Sequence, residues 1–314
     1  MKREFGLDAI APNDQSVVTV GTFDGVHRGH QAILRYLIER ARAREGVSTV
    51  VSVYPHPREV VRGEPVPLLT TVAERAELLE AQGLDRFVVI PFTQAFAQLE
   101  PEAYVEEVLL GRVGLKEIVI GYDHRFGRDR KGDRALLERL GAAHGFSVDV
   151  IPPQAVDSDV VSSSAIRRLL AETGEVERAA DLLGRPYALS GTVERGEGRG
   201  RQLGYPTANL AVQGARKLVP KIGVYATRVR IEDAGPAYGG MMNIGRRPTF
   251  EGMDVTVEVH LLDFEGDLYG RRLRVEFLRR LRDEQRFDGP DTLAAQLSRD
   301  EEHCKRVLNA MEAA

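Results

Sequence analysis

The sequence predicts an α/β fold built on a doubly wound parallel sheet, followed by an all-β antiparallel barrel with a terminal helix. Three observations carry this expectation. Residues 21–30 read GTFDGVHRGH, a glycine-rich turn between an apolar β-branched run and a helical stripe. From Ser16 to Ile151 short apolar strands alternate with helical segments, the pattern of a parallel sheet covered on both faces. After Pro186 the strands are separated by turns instead of helices, the rhythm of a compact barrel.

Val17, Val18, Thr19 and Val20 mark the first strand, within 16–21, and further strands fall at 48–54, 86–90, 117–121 and 147–151. Ile33, Leu34, Leu37, Ile38 and Ala41 recur at helical spacing directly after the turn. Glu74 to Leu79, Tyr104 to Leu110 and Leu136 to Ala143 read as later helices, with Gly83, Gly111, Gly114 and Gly145 at their ends. Ser162, Ser163 and Ser164 precede Ile166, Leu169 and Leu170, so a serine caps a helix that carries Arg167 in its first turn. A helix over 175–183 leads to Gly184, Arg185 and Pro186, which divide the chain into domains 1–183 and 184–314. Barrel strands are predicted at 187–193, 224–231, 238–244, 255–262 and 272–278, and a final helix at 292–311. The sequence holds no internal repeat and no low-complexity segment.

At 314 residues and 43% hydrophobic content the chain is long enough for two cores. A formal net charge of -4 without a long basic tail argues against nucleic acid as a partner. Cys304 is the only cysteine, which excludes disulfides within the chain and a multi-cysteine metal site. It falls on the stripe of Leu293, Leu297, Val307, Leu308 and Met311, where packing explains it. Met1 to Asp14 lack the apolar core of a signal peptide and no stretch reaches membrane-spanning length. The expectation is a cytoplasmic enzyme with no membrane partner, and an oligomer is compatible with it.

The turn after the first strand presents free amides and the positive end of a helix dipole, which together stabilise an anion. His27 and His30, three apart on one helix face, add ring N–H donors beside Gly21 and Phe23. Alone, an H-x-x-H pair reads as surface histidines; Phe23, Asp24, Gly25 and Gly29 in a strand-to-helix context select the phosphate site. Ser163 and Ser164 offer hydroxyls, and Arg167 near a helix start is easier to understand if it grips phosphate. His56, between Pro55 and Pro57, follows the second strand, and the 121–133 loop with Asp123 follows the fourth. Both are strand carboxyl ends, where a doubly wound sheet binds ligands.

In the second half, Gly198 and Gly200 are interleaved with Arg195, Arg199 and Arg201 ahead of Gly204-Tyr205-Pro206-Thr207-Ala208-Asn209. A basic glycine loop wraps phosphates with its amides. Thr207 and Asn209 supply neutral oxygens that suit a Mg²⁺ ion sharing nucleotide phosphates. Thr256, Glu258 and His260 alternate with apolar residues and so share one strand face, from which Glu258 can take a proton from an alcohol attacking a γ-phosphate.

GTFDGVHRGH resembles the HxGH signature of the nucleotidylyltransferase superfamily. Further segments extend the likeness: PHPRE at 55–59, the 121–132 loop, SSSAIR at 162–167, GRGRQLGYPTANL at 198–210, PKIGVYA at 220–226, NIGRRPTF at 243–250, VEVHLLDF at 257–264, DLYG at 267–270 and LRDEQRF at 281–287. With these, nearly the whole chain resembles the bacterial bifunctional riboflavin kinase/FMN adenylyltransferases, also called FAD synthetases. The resemblance implies a Rossmann-like adenylyltransferase domain followed by a Greek-key riboflavin kinase barrel. It implies that ATP and Mg²⁺ serve to phosphorylate riboflavin to FMN, and that ATP then adenylylates FMN to FAD with release of pyrophosphate. Glu258, His27 and His30 are the implied catalytic residues. Gly21, Phe23, Asp123, Ser163, Ser164, Arg167, Gly198, Gly200, Thr207 and Asn209 are implied to bind ATP, His56 and Arg282 the flavin, and Thr207 and Asn209 the metal. Val53 and His124 stand where the family has Phe, and Ser164 where it has Thr, which implies altered affinity with activity kept. Two other readings are a nucleotidylyltransferase for another phosphorylated metabolite and a non-catalytic flavin- or nucleotide-binding regulator.

Overall fold

A computed structural model of the protein describes residues 1–11, 13, 15–122, 124–152, 155–156, 159–195, 204–232, 234–249 and 252–312. They form two compact units, Met1–Ser163 and Ser164–Ala314. Among the described residues no helix is long and apolar enough to cross a membrane.

The first unit is a six-stranded parallel sheet of β1 (Lys2–Phe5), β2 (Ser16–Val20), β3 (Val47–Tyr54), β4 (Arg86–Pro91), β5 (Leu115–Gly121) and β6 (Ser147–Ile151), in the order β1-β4-β3-β2-β5-β6. Successive residues point to opposite faces, and both faces are covered. Val17, Val50, Phe87, Val89 and Val119 pack with Leu34, Leu37 and Ala41 of the helix Arg28–Ala43 and with Leu79 of the helix Val72–Ala81. Val18, Val51, Val88, Ile90, Ile118 and Ile120 face the other way, against Val105, Leu109, Leu137 and Leu140. This double burial is why the strands read as unbroken apolar runs. The strand order reverses at β2, between β3 and β5, so the carboxyl end of β2 is the switch point of the sheet.

The sequence reading missed β1. Its inward residue is Glu4, buried on Arg86, so the strand gives no apolar signal. Arg86 donates from Nε to Glu4 Oε2 at 2.7 Å, from Nη1 to the Val113 carbonyl at 3.2 Å and from Nη2 to the Ala11 carbonyl at 2.6 Å. Gly111, expected at a helix end, lies inside the π-helical segment Tyr104–Val113, which stops at Gly114 with φ 79°. That segment hydrogen-bonds across a wider turn and carries the backbone past Gly111.

After β6 come two short antiparallel strands, β7 (Ala155–Val156) and β8 (Asp159–Val160). In the second unit β9 (Ala188–Glu194), β10 (Ala208–Val212), β11 (Gly223–Ile231), β12 (Ala234–Thr249), β13 (Gly252–Leu261) and β14 (Arg272–Arg282) close a barrel in the order β10-β13-β12-β11-β14-β9. The β9–β10 ladder is antiparallel and seals it. The helix Val176–Leu183 buries Val176, Ala179, Leu182 and Leu183 and packs on β14. The terminal helix Pro290–Glu312 covers Ala226, Met241 and Leu278 with Cys304 and Val307. Gly239 permits that approach, since a Cβ there would lie 2.4 Å from Leu308 Cδ1. β10 also escaped the sequence reading, because five residues emerging from a glycine loop carry too little pattern. β12 and β13 run beyond their predicted ranges, pairing as far as Thr249 with Gly252.

Two consequences are measurable. Burial pushes the Glu4 carboxyl up, but hydrogen bonds from Lys2, the Ala11 N–H and Arg86 bring it below the ordinary value of 4.5. Its folded value is depressed, so its stabilising contribution is complete above pH 4.5 and disappears as pH falls through the lower folded value. Arg86→Leu strands that charge and is expected to cost about 3–5 kcal/mol at neutral pH by urea denaturation, with a smaller deficit in acid. Burial pushes the Cys304 thiol up to about 11. Iodoacetamide is expected to label it in the unfolded chain and to leave it intact in the native protein at pH 8.

Candidate active sites

Where β2 ends, the chain must turn from strand to helix within a few residues. Phe23 (φ 48°) and Val26 (φ 41°) adopt left-handed backbone around Gly25 (φ 85°). Such conformations cost of order 1–3 kcal/mol each in a side-chain-bearing residue and persist only where the surroundings fix them. Here Phe23 and Val26 are buried in the core between the sheet and the helix Arg28–Ala43. The Asp24 carboxylate between them is 0% exposed. It accepts from Leu69 N at 3.0 Å, Thr70 N at 2.9 Å and Thr70 Oγ1 at 3.0 Å. Arg75, itself buried, places Nη2 3.7 Å from Asp24 Oδ1.

His27 caps the helix. Its Nδ1 accepts from the His30 backbone N–H at 3.3 Å, which puts the ring proton on Nε2. The His27 and His30 rings stack 3.6 Å apart at 14°, and the Phe23 ring lies 4.6 Å from that of His30. Gly29 leaves room for the His27 ring, since a Cβ there would sit 3.2 Å from its Cε1 and Nδ1 and press on it. Ser163 joins the same turn, its hydroxyl donating to the Asp24 carbonyl at 2.9 Å. The structure thus gathers Gly21, Phe23, His27, His30 and Ser163 at the carboxyl end of β2. The arrangement offers an anion a helix start and imidazole N–H groups.

His56 caps the short helix Pro57–Arg62 at the end of β3, its Nδ1 accepting from Arg58 N at 3.2 Å. The loop after β5 lines a hollow of about 300 Å³ with Tyr122, His124, Arg125 and Asp133. Asp123 lies outside the described residues, as do Gly198 and Gly200. Ser164, exposed, and Arg167, half-buried, belong to the second unit. Arg167 falls in the last turn of the helix Ser163–Arg168, a correction to its expected place in the first turn, because the helix begins already at Ser163 and Arg167 is its fifth residue.

The second cluster is set by strand register. On β13 Val257, Val259 and Leu261 are buried while Thr256, Glu258 and His260 face outward, as the alternation predicts. β10 places Asn209 directly opposite Glu258, and β12 places Asn243 opposite it on the other side. Thr207 Oγ1 donates to Glu258 Oε2 at 3.3 Å. His260 Nδ1 lies 2.8 Å from the Pro206 carbonyl, which can only accept, so the ring donates and holds the loop. Tyr205 donates to Glu301 Oε2 at 3.1 Å, tying the same loop to the terminal helix. Burial first, then Glu301, pushes the Tyr205 hydroxyl up. Beside Thr207 a cavity of about 80 Å³ is lined by Ala208, Phe264, Asp267 and Tyr269.

Residues 9–165 match the family model of FAD synthetase and residues 183–308 that of riboflavin kinase. A bifunctional riboflavin kinase/FMN adenylyltransferase of Pseudomonas fluorescens is 41% identical, with 94% of each chain covered. The chain belongs to this family. The Escherichia coli (strain K12) member is 38% identical, covering 93% of this chain and 92% of its own. Among solved structures, the crystal structure of a macrolide-efflux protein from Streptococcus pneumoniae superposes with a TM-score of 0.88. It is 32% identical and covers 97% of this chain and 99% of its own.

Arg282 is hydrogen-bonded within the chain. Its Nε and Nη2 donate to the Asp300 carboxylate at 2.7–3.0 Å, and Nη1 to the Asp283 carbonyl at 3.0 Å. The guanidinium ties the end of β14 to the terminal helix. Asn243 went unread as a site residue although it opens the NIGRRPTF segment; its register with Glu258 is a tertiary fact that no local spacing encodes. Thr70 and Arg75 went unread too, being more than forty residues from the turn they hold. Gly29→Ala is expected to displace the His27 ring and shift its NMR resonances. It should also lower FAD formation from FMN by about tenfold or more, measured as initial rate.

Proposed function

We propose that the barrel phosphorylates riboflavin to FMN and that the parallel-sheet domain converts FMN to FAD, with the functional boundary at 183/184. The observation that supports this best is that Glu258 with Thr207, and His27 with His30, form separate clusters in separate compact units. In the barrel, Glu258 takes the proton of the terminal ribityl hydroxyl as that oxygen attacks the γ-phosphorus of ATP, and ADP leaves. Thr207 and Asn209 hold Mg²⁺ and the ATP phosphates. Their hydroxyl and amide oxygens beside a carboxylate suit a cation that keeps several waters and shares phosphate oxygens. The metal, when bound, neutralises charge on the transferring phosphoryl group.

In the first domain the FMN phosphate, already anionic, attacks the α-phosphorus of ATP and pyrophosphate leaves. That nucleophile needs no general base and no covalent enzyme intermediate. His27 and His30 donate to the crowded phosphate oxygens, and the helix start adds amide hydrogens to the same charge. Ser163 holds the neighbouring segment against the turn.

Incubating the full chain with riboflavin, ATP and Mg²⁺ while resolving FMN and FAD over time tests both assignments. His30→Ala is expected to accumulate FMN, with FAD formation slowed about 100-fold. Glu258→Ala is expected to slow FMN formation by about 100-fold or more while still converting supplied FMN. A Glu258→Ala chain that phosphorylates riboflavin at the parental rate removes the base assignment.

A further inference from the structure

We propose that Asp24, Thr70 and Arg75 are positioning residues for adenylyl transfer: a buried clamp from a distant loop that holds the imidazole-bearing turn in its reactive shape. This rests on the reading that His27 and His30 serve that reaction.

Thr70 is the pivot. Its hydroxyl donates to Asp24 Oδ1 at 3.0 Å and accepts from the Gly25 N–H at 2.9 Å, so one oxygen fixes two consecutive residues of the turn. Asp24 and Gly25 lie between Phe23 and Val26, the two residues held in left-handed backbone. The next residue is His27. The far side of the clamp is fixed as well. Arg75 Nη1 donates to Ser52 Oγ at 3.2 Å and Nη2 to the Thr70 carbonyl at 3.4 Å. The Thr71 side chain and Glu74 then close a capping box at the start of the helix Val72–Ala81.

None of these atoms faces substrate: Asp24, Thr70 and Arg75 are 0%, 3% and 2% exposed. A carboxylate is buried with its counter-ion, and its acceptors are spent on backbone and hydroxyl donors of one short segment, Leu69 and Thr70. Such a network specifies one geometry when complete and leaves a charge under-compensated when one member is lost. The geometry it specifies is the entry angle of the chain into His27, and hence where the stacked rings present their donors. Positioning of that kind governs turnover more than substrate affinity, because the donors matter most where charge builds up during transfer.

Thr70→Val keeps the shape and removes the hydroxyl; Thr70→Ser keeps the hydroxyl. In the full-length chain, riboflavin phosphorylation by the barrel reports independently on the quantity of folded protein, and thermal melting reports on the first domain. Thr70→Val is expected to lower kcat for FAD formation by about tenfold or more, with KM for FMN changed by less than about threefold. Thr70→Ser is expected to stay within about threefold of the parent, and both variants to phosphorylate riboflavin at the parental rate. In a His27→Ala/His30→Ala background the same Thr70→Val change should cost less than about threefold, since both groups it positions are gone.

Several results overturn the assignment. Thr70→Val retaining kcat within about twofold does so, as do equal losses in the Val and Ser variants. A loss that merely tracks the unfolded fraction at the assay temperature makes Thr70 a stability residue only. Parental FAD formation by His30→Ala alone fails the underlying site reading instead, and the two failures are told apart by which single variant is silent.

Discussion

A parallel strand that runs straight into a helix leaves the helix's first amide hydrogens without acceptors, and the first domain is organised around that end. β2 lies at the switch point of the sheet, where the chain order reverses between β3 and β5. The turn that follows cannot relax into ordinary backbone without pulling Phe23 and Val26 out of the core, where they are 2% and 1% exposed. Apolar burial therefore holds a conformation that local energetics disfavour. The helix start and the imidazoles are held in one place because the core beneath them is fixed. A negative residue sits close by without spoiling an anion site, since hydrogen bonds from Leu69 and Thr70 and the Arg75 guanidinium offset the Asp24 charge internally.

The barrel reaches its chemistry by a different route. Nothing there depends on a helix terminus; the relevant groups are brought together by the two-residue period of strands and by pairing across the wall. Val257 and Val259 bury one face of β13, so a register slip of one residue would bury Glu258 and expose both valines. Register on that strand is strongly specified for this reason. It fixes Asn209 and Asn243 on either side of Glu258 as a by-product. Core packing on one face thus sets site geometry on the other.

The sequence exposed those parts of the fold that bury apolar area with a regular period. Five of the six strands of the sheet and the helix after β2 were legible from their apolar runs and stripes, as in Val17 to Val20 and in Leu34, Leu37, Ile38 and Ala41. β1 was not, since a carboxylate occupies its one inward position and its partner Arg86 lies far along the chain. The imidazole pair and Glu258 were legible from local spacing. The hydrogen bonding of polar side chains was not: nothing in the local pattern around Arg282 announces its bonds to Asp300 and the Asp283 carbonyl. Arg75 falls within the Glu74 to Leu79 helical segment and Thr70 just ahead of it, but neither was legible as a partner of Asp24. Their grip on Asp24 exists only after β2, β3 and the helix Val72–Ala81 have packed.

The polarity of the parallel sheet sorts these polar groups by role. At the amino ends of strands, charges close on one another. Glu4 meets Arg86 where β4 begins, Ser48 donates to Asp85 at 2.6 Å beside the starts of β3 and β4, and Glu117 near the start of β5 accepts from Arg40 Nε at 2.6 Å. These groups bind chain to chain and present nothing to a ligand. At the carboxyl ends of β2 and β3 the same sheet carries His27, His30 and His56 on turns and helix starts, where backbone amides converge. The Asp24–Arg75 pair is the exception that explains the rule. It lies at the carboxyl end, where a charged pair closed on itself would waste a site, and it earns that position because what it secures is the turn itself. A buried ion pair is weak evidence of stabilisation, and its location relative to strand direction is the better guide to its purpose. By that criterion Glu4–Arg86 closes strand on strand, whereas Asp24–Arg75 secures the turn that leads into His27.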